Sequence, residues 1–198
     1  MTPGELATRG RPRSAEADAA ILGAAIDELA EHGFDELTIE RVAHRAGVGK
    51  ATIYRRWASK TELVVDAVGS LKAPLAEPST GSTRDDLIEL LGAGVGSDDD
   101  PRLVRVLVGL CMELQRNAEM GARYRERFVE PRRRAAYEIL QRAVDRGELR
   151  ADTDFDLLLD AVVGPLFYRQ LVAARAMSHD DFERLVDLVL HGASAASS

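Results

Sequence analysis

The chain has few of the residues that cross-link a protein or anchor it in a membrane. Among its 198 residues there is one cysteine, Cys111, so no disulfide can form within the chain. The apolar stretch over residues 157–166 is interrupted by Asp160, Gly164 and Pro165, and it falls far short of the roughly 20 residues that a membrane span requires. No charged segment followed by an apolar signal core opens the sequence. These absences predict a cytoplasmic protein without membrane association.

Signatures of catalysis are also missing. The sequence contains no P-loop, no glycine-rich dinucleotide fingerprint and no catalytic-triad signature, so we expect neither an enzyme nor a cofactor. Potential metal ligands recur at every fourth position near the C-terminus, at His179, Glu183, Asp187 and His191. They lie opposite the apolar side of the same helix, which is the side that must be buried, so we interpret them as a solvated face and expect no metal. Cys111 has no paired base in the sequence and is expected to be a small core residue or to line a pocket.

What the chain does contain favours helices. Aromatic residues make up only 5% of it, apolar residues 45%, and Ala, Leu, Val, Arg, Asp and Glu dominate. No strand-like alternation is present, so we predict an all-α fold. A segment rich in Pro, Ser and Thr over residues 73–81 is the best linker. It separates a predicted N-terminal domain over residues 14–72 from a larger helical domain over residues 82–192, and residues 1–13 form a flexible basic arm.

The net charge of −7 argues against a nucleic-acid partner until its distribution is considered. The first 60 residues hold nine basic and nine acidic residues, so all the excess acid lies downstream. Residues 41–60 contain no acid and six basic residues: Arg41, Arg45, Lys50, Arg55, Arg56 and Lys60. This distribution predicts a local basic face on an acidic protein.

The N-terminal domain carries the local signals of successive short helices. The first helix follows Ser14 and is ended by Gly33. Thr38 caps a second helix, Gly47 ends it, and a third helix covers residues 50–57. Two short helices joined by such a turn make a helix-turn-helix, in which the second helix enters the major groove of DNA.

The phase of this third helix predicts which side chains meet DNA. Ile53 and Trp57 lie one turn apart and are expected to face inward. The side chains expected to point outward can contact bases or phosphates by hydroxyl, guanidinium or close backbone approach, and they are those of Ala51, Thr52, Tyr54 and Arg55.

Residues 34–48 (FDELTIERVAHRAGV) and 52–63 (TIYRRWASKTEL) together resemble the DNA-binding domain of TetR-family repressors. The resemblance extends over residues 14 to about 70, including a fourth helix over residues 60–72. It implies DNA contacts by Thr38, Lys50, Thr52, Tyr54 and Lys60. Arg55 and Arg56 stand where the family varies, so they are candidates for contacts of this protein's own. Glu40 differs from these residues, because a carboxylate near the groove repels the phosphates of DNA. It either accepts a hydrogen bond from cytosine or merely faces solvent.

The arm contributes three further candidates, Arg9, Arg11 and Arg13. The sequence Arg9-Gly10-Arg11-Pro12-Arg13 resembles the minor-groove tails of some family members, and such arginines favour the narrow minor groove of AT-rich DNA. The alternative is a disordered tail with incidental charge.

The two long helices at the C-terminus, over residues 154–177 and 179–192, are strongly apolar on one face. Burying both faces within one small chain is not expected, so they predict a four-helix seam between two copies of the chain. The residues expected at this seam are Leu158, Leu159, Val162, Leu166, Phe182, Leu185, Val186 and Val189.

The middle helices are expected to enclose a ligand pocket with apolar walls and a few polar groups. The residues expected to line it are Leu107, Leu110, Cys111, Leu114, Gln115, Phe128, Tyr137, Leu140, Val163, Phe167, Tyr168 and Arg169. The alternative for each of them is a place in a packed core.

Together these features and the resemblance imply a transcriptional repressor. It would bind a palindromic operator in double-stranded DNA as a homodimer and be released by a small, largely apolar effector. Two other classes remain open at this point. One is an enzyme with its catalytic groups in the C-terminal cavity, and the other is a structural or co-regulatory DNA-binding protein without a ligand.

Overall fold

The computed structural model describes residues 11–71, 75, 77–92 and 101–194. In this part of the chain the regular secondary structure is helical, with an isolated β-bridge between Leu149 and Ser194, so the predicted all-α fold is confirmed. The chain forms two compact units, Met1–Ser70 and Leu71–Ser198. None of the described helices is long and apolar enough to cross a bilayer.

The described residues of the first unit form four helices. They are α1 (Arg11–Glu36), α2 (Ile39–Arg45), α3 (Lys50–Tyr54) and α4 (Lys60–Ser70). Helix α1 begins three residues before the expected cap at Ser14, and its backbone is broken at Gly33, where φ is +75°. Only glycine adopts this left-handed conformation without strain, which explains why the regular helix stops there as expected.

Local capping fixes the helix-turn-helix. The Thr38 hydroxyl accepts a hydrogen bond from the Arg41 amide at 3.3 Å and so caps α2, while the Ser59 hydroxyl accepts from the Glu62 amide at 3.1 Å at the start of α4. Gly47 has φ +66° in the turn between α2 and α3, where a Cβ would be strained. The cap at Thr38 and the turn at Gly47 that the sequence predicts are confirmed, although α3 ends at Tyr54 rather than at Trp57.

The first unit has its own core. Helix α1 packs against α2 and α4, and its Ile21 is fully buried. Val42 of α2, Ile53 of α3 and Leu63 of α4 are buried to the same extent. Burial of each such side chain stabilises the fold by about 1.5–3 kcal/mol, which is enough to hold two very short helices that would not be stable alone.

The second unit contains six helices and two π-helical turns among the described residues. The helices are α5 (Thr83–Gly92), α6 (Pro101–Arg116), α7 (Ala118–Tyr124), α8 (Glu130–Asp145), α9 (Phe155–Phe167) and α10 (His179–Ala193). The π-helical turns cover Arg125–Val129, just before Pro131, and Tyr168–Val172, just after Pro165. Each π-helical turn therefore lies beside a proline, which cannot donate the regular backbone hydrogen bond and so disturbs the helix around it.

Helices α5, α8, α9 and α10 enclose one hydrophobic core. Leu87, Leu140 and Phe182 are fully buried in it. Gly92 lets α5 approach α10 closely, since a Cβ at this position would lie 2.7 Å from the Phe182 ring. The apolar faces of α5, α8, α9 and α10 that meet in this core are thus buried within a single chain.

This core corrects the expected dimer seam. Leu158, Leu159, Val162, Phe182 and Val186 are at most 5% exposed within one protomer, so the premise that they would face water is wrong. The other three expected seam residues, Leu166, Leu185 and Val189, are partly buried against the same cluster. The reason is that α5 and α8 of the same chain cover the apolar faces of α9 and α10.

Candidate nucleic-acid interface

Helix α3 presents a polar face that two buried residues hold in place. Ile53 is fully buried and Trp57 is 6% exposed, whereas Tyr54 is 53% exposed. Ala51 and Arg55 are also exposed, and Thr52 is half-buried. The predicted phase of the helix is therefore confirmed, with Thr52 less accessible than its neighbours.

Trp57 is anchored by a hydrogen bond as well as by burial. Its indole Nε1 donates to Asp66 Oδ2 of α4 at 3.0 Å. A buried indole needs such a hydrogen-bond partner, and this bond connects the residues that follow α3 to α4. The sequence placed Trp57 in the core but gave no indication of Asp66 as its partner.

The two helices of the motif are joined by an ion pair at their N-terminal ends. Lys50 Nζ at the start of α3 donates to Glu40 Oε1 in the first turn of α2 at 2.8 Å. This hydrogen bond raises the pKa of Lys50 and lowers that of Glu40. Both side chains remain more than half exposed, so DNA can reach them. Thr38, which caps α2 and is also an implied DNA contact, is exposed.

The two arginines after Tyr54 point in different directions. The Arg55 side chain is exposed and forms no ion pair or hydrogen bond with the described residues. The guanidinium of Arg56 instead pairs with Asp18 of α1 through Nε, and its Nη1 donates to the Thr52 carbonyl at 2.9 Å. Arg56 therefore connects α1 to α3, and its interpretation as a candidate DNA contact is corrected.

Lys60 also has a partner within the unit. Its ammonium donates to the Phe34 carbonyl oxygen at 2.8 Å and lies 4.3 Å from the centroid of the Phe34 ring. The Asp35 carbonyl oxygen is 3.5 Å away. Lys60 thus caps the broken end of α1, and one of its three N–H donors is left for a phosphate.

A buried acid that the sequence analysis did not single out organises the basic residues of α2. Glu28 of α1 is 3% exposed and accepts from Arg41 Nε at 2.7 Å, while its other oxygen lies 3.0 Å from Arg45 Nε. Glu31 also pairs with Arg45, which lowers the pKa of Glu31. Glu28 lies seven residues after Ile21 and therefore on the apolar face of α1. An acidic residue on that face could have indicated from the sequence that Glu28 is buried and paired.

The same ion pairs occupy the carboxylates of a residue cluster on α1 that has the composition of a cation site. Ligand atoms of Glu28, Glu31 and His32 lie within 4.8 Å of one another. The guanidinium groups of Arg41 and Arg45 already neutralise the two carboxylates. The guanidinium groups of Arg41 and Arg45 therefore contact acidic residues of α1 and do not face solvent alone.

The arm is described only in part. Arg9 lies outside the described residues, and the backbone of Arg11 and Arg13 belongs to α1 rather than to a flexible arm. The predicted boundary of the arm at residue 13 is thus corrected, because α1 begins at Arg11, three residues before the cap expected at Ser14.

The predicted pocket residues of the second unit do not share one site. Gln115, Phe167 and Tyr168 are exposed, so the expectation that they line an enclosed pocket within one protomer is wrong. Leu140 is buried in the core, and the Tyr137 ring packs edge-on against Phe155 with 5.5 Å between centroids. Val163 is half-buried, and Arg169 pairs with Asp181 at 2.6 Å.

A smaller set remains together around α6 and α7. Leu107, Cys111 and Leu114 are half-buried, Leu110 is 6% exposed, and all four lie on α6. The ring of Phe128 packs against that of Tyr124 at a tilt of 45°, with 5.5 Å between centroids.

Two polar residues that the sequence analysis did not select also lie in this region. Burial raises the pKa of Tyr124 to about 12, and Glu113 is 9% exposed and paired with Arg116. The α6–α7 region thus combines apolar side chains with two buried polar residues.

The C-terminal stripe of potential metal ligands is bridged by an arginine. Arg84 of α5 donates to Asp187 Oδ1 at 2.5 Å and to Glu183 Oε2 at 2.7 Å, and His179 lies 3.3 Å from Glu183. Arg84, Glu183 and His179 border an open polar hollow between α5 and α10, with a volume of about 340 Å³. The carboxylates therefore serve an ion-pair network on the surface.

The geometry of the first unit, with a short helix fixed by buried residues and exposing a polar face, is that of a helix-turn-helix DNA-binding domain. Comparison with known proteins agrees. Residues 21–67 match the bacterial regulatory proteins of the tetR family, and residues 77–189 match the tetracyclin repressor-like C-terminal domain. The chain belongs to the TetR family of transcriptional regulators and is not an enzyme.

Individual relatives cover nearly the whole chain. The uncharacterized HTH-type transcriptional regulator YdeS of Bacillus subtilis is 34% identical over 193 residues, which is 96% of both chains. The DNA-binding transcriptional repressor TetR of Mycobacteroides abscessus is 30% identical and covers 93% of this chain and 95% of its own. The crystal structure of the TetR family transcription regulator SCO0332 shows 33% identity and a TM-score of 0.63, covering 89% of this chain and 98% of that one.

Proposed function

We propose that this regulator is a repressor that binds a palindromic operator as a homodimer and is released by a small, largely apolar effector. The observation that carries the proposal is the exposed face of α3, with Tyr54 and Arg55 outward and Ile53 and Trp57 buried. The repressor role is supported by the relative from Mycobacteroides abscessus, which is named as a DNA-binding transcriptional repressor.

The DNA contacts proposed for each protomer lie at three places. Thr38 and Lys50 stand at the starts of α2 and α3, and Ala51, Thr52, Tyr54 and Arg55 lie on or directly after the recognition helix. Lys60 would add a phosphate contact through its remaining N–H. Arg residues fork onto guanine and hydroxyl groups contact bases or phosphates, so this set can both position the protein and read sequence.

The test is binding to a duplex selected from a random-sequence pool. Tyr54→Phe and Thr52→Ala should each weaken operator binding by about 1–3 kcal/mol, because each removes one contact and leaves the buried anchors intact. Tyr168→Phe is the matched control, since it removes an exposed hydroxyl from the second unit. Unchanged affinity in both α3 variants would contradict the proposed interface.

The proposed homodimer uses the outer faces of α9 and α10 rather than their buried faces. Leu157 of α9 is 67% exposed and Leu188 of α10 is 70% exposed, although both are large apolar residues. Ala161 and Gly164 follow Leu157 at helical spacing and are also exposed, so a second copy can approach α9 closely. Two recognition helices about 34–36 Å apart, or at a compatible larger spacing, would then read a palindrome.

Sedimentation tests this face directly. Leu157→Glu combined with Leu188→Glu should give a monomer, because charges placed in an apolar seam are desolvated without partners. Met112→Glu is the control, since Met112 is an exposed apolar residue of α6 outside the proposed face. A dimer that persists in the double variant would exclude this seam.

The proposed effector site is the α6–α7 region. Leu110 and Cys111 provide apolar contacts, and Tyr124 and Glu113 supply the few polar groups that orient a ligand. Helix α4 begins at the DNA-side residue Lys60 and is the last helix before the chain enters the second unit. A displacement of α4 would therefore change the positions of DNA-contacting residues.

Linkage makes this part quantitative. A ligand recovered from the purified protein should weaken operator affinity by about 5- to 150-fold at fixed salt, and operator DNA should weaken ligand binding by the same factor. A ligand that binds without changing operator affinity would favour the second candidate, a DNA-binding regulator without an effector.

A further inference from the structure

The ion pair between the two helices of the DNA-binding motif joins a proposed DNA contact, Lys50, to Glu40, which has no role among the proposed contacts. Glu40 is 60% exposed and lies in the first turn of α2, between the implied contact Thr38 and the start of α3. Its carboxylate is 2.8 Å from Lys50 Nζ, so it holds a cation that would otherwise face phosphate. A carboxylate on a surface that meets a polyanion is unfavourable unless the complex gives it a partner.

The neighbouring cations do not offset this charge. Arg41 and Arg45 follow Glu40 on α2, but Glu28 and Glu31 of α1 engage both guanidinium groups. The carboxylate of Glu40 is thus balanced by Lys50 alone among the partners that the described residues provide. When a phosphate takes Lys50, Glu40 loses its partner.

The bases differ in what they offer an ionised carboxylate. In the major groove, cytosine presents the N4 amino donor, whereas guanine and thymine present acceptors that repel a carboxylate. Adenine offers its N6 amino group beside the N7 acceptor, an arrangement that suits an amide better than a carboxylate. Cytosine is therefore the base that best compensates Glu40 for the loss of Lys50.

Resting on the proposed operator binding, we infer that Glu40 is a specificity-determining residue that reads a cytosine in each half-site. At the operator, the Glu40 carboxylate accepts a hydrogen bond from cytosine N4, and Lys50 transfers to a phosphate. At other sequences Glu40 has no such donor and retains Lys50, so off-site binding is weaker. The pair exchanges hydrogen bonds only, and no covalent step is involved.

Selection from a random-sequence duplex pool tests the inference. The wild-type protein should enrich a C·G pair at one position of each half-site. Glu40→Ala should lose that preference, with discrimination falling by about 5- to 150-fold at this position only. Glu40→Gln should shift the preference to A·T, because an amide pairs with adenine N6 and N7. Glu119→Gln is the matched control, because Glu119 is 64% exposed and pairs with Arg123 at 3.1 Å in the second unit.

Binding to a duplex of scrambled sequence tests whether Glu40 keeps Lys50 from contacting phosphate. Glu40→Gln should bind it more tightly than wild type and with a salt slope steeper by about 0.9, the value for one added phosphate contact. Glu40→Gln combined with Lys50→Gln should return the slope to the wild-type value. An unchanged salt slope in Glu40→Gln would overturn the proposal that Glu40 keeps Lys50 from phosphate.

The outcomes separate this inference from the proposed function. If the wild-type protein enriches no sequence, operator recognition fails and the inference fails with it. If the wild type enriches an operator and both Glu40 variants enrich the same bases at every position, the inference alone is overturned.

Discussion

Arg55 and Arg56 are adjacent and chemically identical, yet the structure gives them opposite roles. Arg56 is 16% exposed, pairs with Asp18 and donates to the Thr52 carbonyl at 2.9 Å. Arg55 is exposed, and its side chain has no partner among the described residues. Replacing each by alanine in turn should therefore separate stability from DNA binding.

The magnitudes follow from the contacts. Arg56→Ala removes a hydrogen bond to a charged donor, worth about 1.5–3 kcal/mol, and a partly exposed ion pair worth about 0–1 kcal/mol. Solvent screening of Asp18, which is 41% exposed, lowers the second contribution. We expect Arg56→Ala to lower the free energy of unfolding by about 2 kcal/mol. Arg55→Ala should change it by less than about 0.5 kcal/mol, as expected for an exposed residue.

Urea unfolding followed by Trp57 fluorescence measures the first quantity, and operator binding at fixed salt measures the second. Arg55→Ala should weaken operator binding by about 1–3 kcal/mol while the protein stays folded. Arg56→Lys should recover part of the stability, because it keeps the charge but not the planar geometry of the guanidinium. If Arg56→Ala unfolded at the wild-type urea concentration and still lost operator affinity, Arg56 would be a direct DNA contact and the assignment would fail.

Three further predictions follow from contacts outside α3. Lys60→Ala should lower the free energy of unfolding by about 1 kcal/mol, because two carbonyls at the end of α1 lose their donor. It should also reduce the slope of log K against log salt concentration for DNA binding by about one, and equally for all sequences. Gly121→Ala should destabilise the protein by about 1–3 kcal/mol in urea unfolding, since its Cβ would meet a backbone oxygen at 2.7 Å. Gly109→Ala, where the space is open, should instead stabilise it by about 0.5–1 kcal/mol. Hydrogen bonds from Arg146 and Thr83 lower the pKa of Glu148, so its stabilisation is present above the unfolded pKa near 4.5 and is lost as the pH falls through the lower folded value. Glu148→Gln should accordingly destabilise the protein at pH 7 and much less at acid pH, and equal destabilisation at both would contradict this origin.

The first unit could be predicted closely because its determinants are local. Thr38, Gly47 and Ser59 act on residues within a few positions of themselves, through caps and a left-handed turn. The burial of Ile53 and the exposure of Tyr54 follow from helical phase alone. Such features depend little on how distant parts of the chain are arranged, so the sequence is sufficient for them.

The second unit was predicted less well because an apolar helix face does not specify what covers it. Leu159 and Phe182 were expected to meet a second copy, but Leu87 of α5 and Leu140 of α8 fill that place within the same chain. Tyr168 was expected in a pocket, yet the π-helical turn after Pro165 leaves it exposed. Contacts between helices far apart in sequence decided both cases, and periodicity contains no information about them.

Charge pairing was the other property that the sequence could not supply, and it alters how this protein must bind DNA. Five of the six basic residues between positions 41 and 60 have partners within the first unit, namely Arg41, Arg45, Lys50, Arg56 and Lys60. Only Arg55 has a side chain without one among the described residues. Phosphate contacts by the paired residues exchange one partner for another, so each adds less free energy than a solvated cation would. These six residues should therefore contribute fewer than six phosphate contacts per protomer to the salt dependence of operator binding, and discrimination among sequences must come mainly from base contacts by the exposed face of α3 and by Glu40.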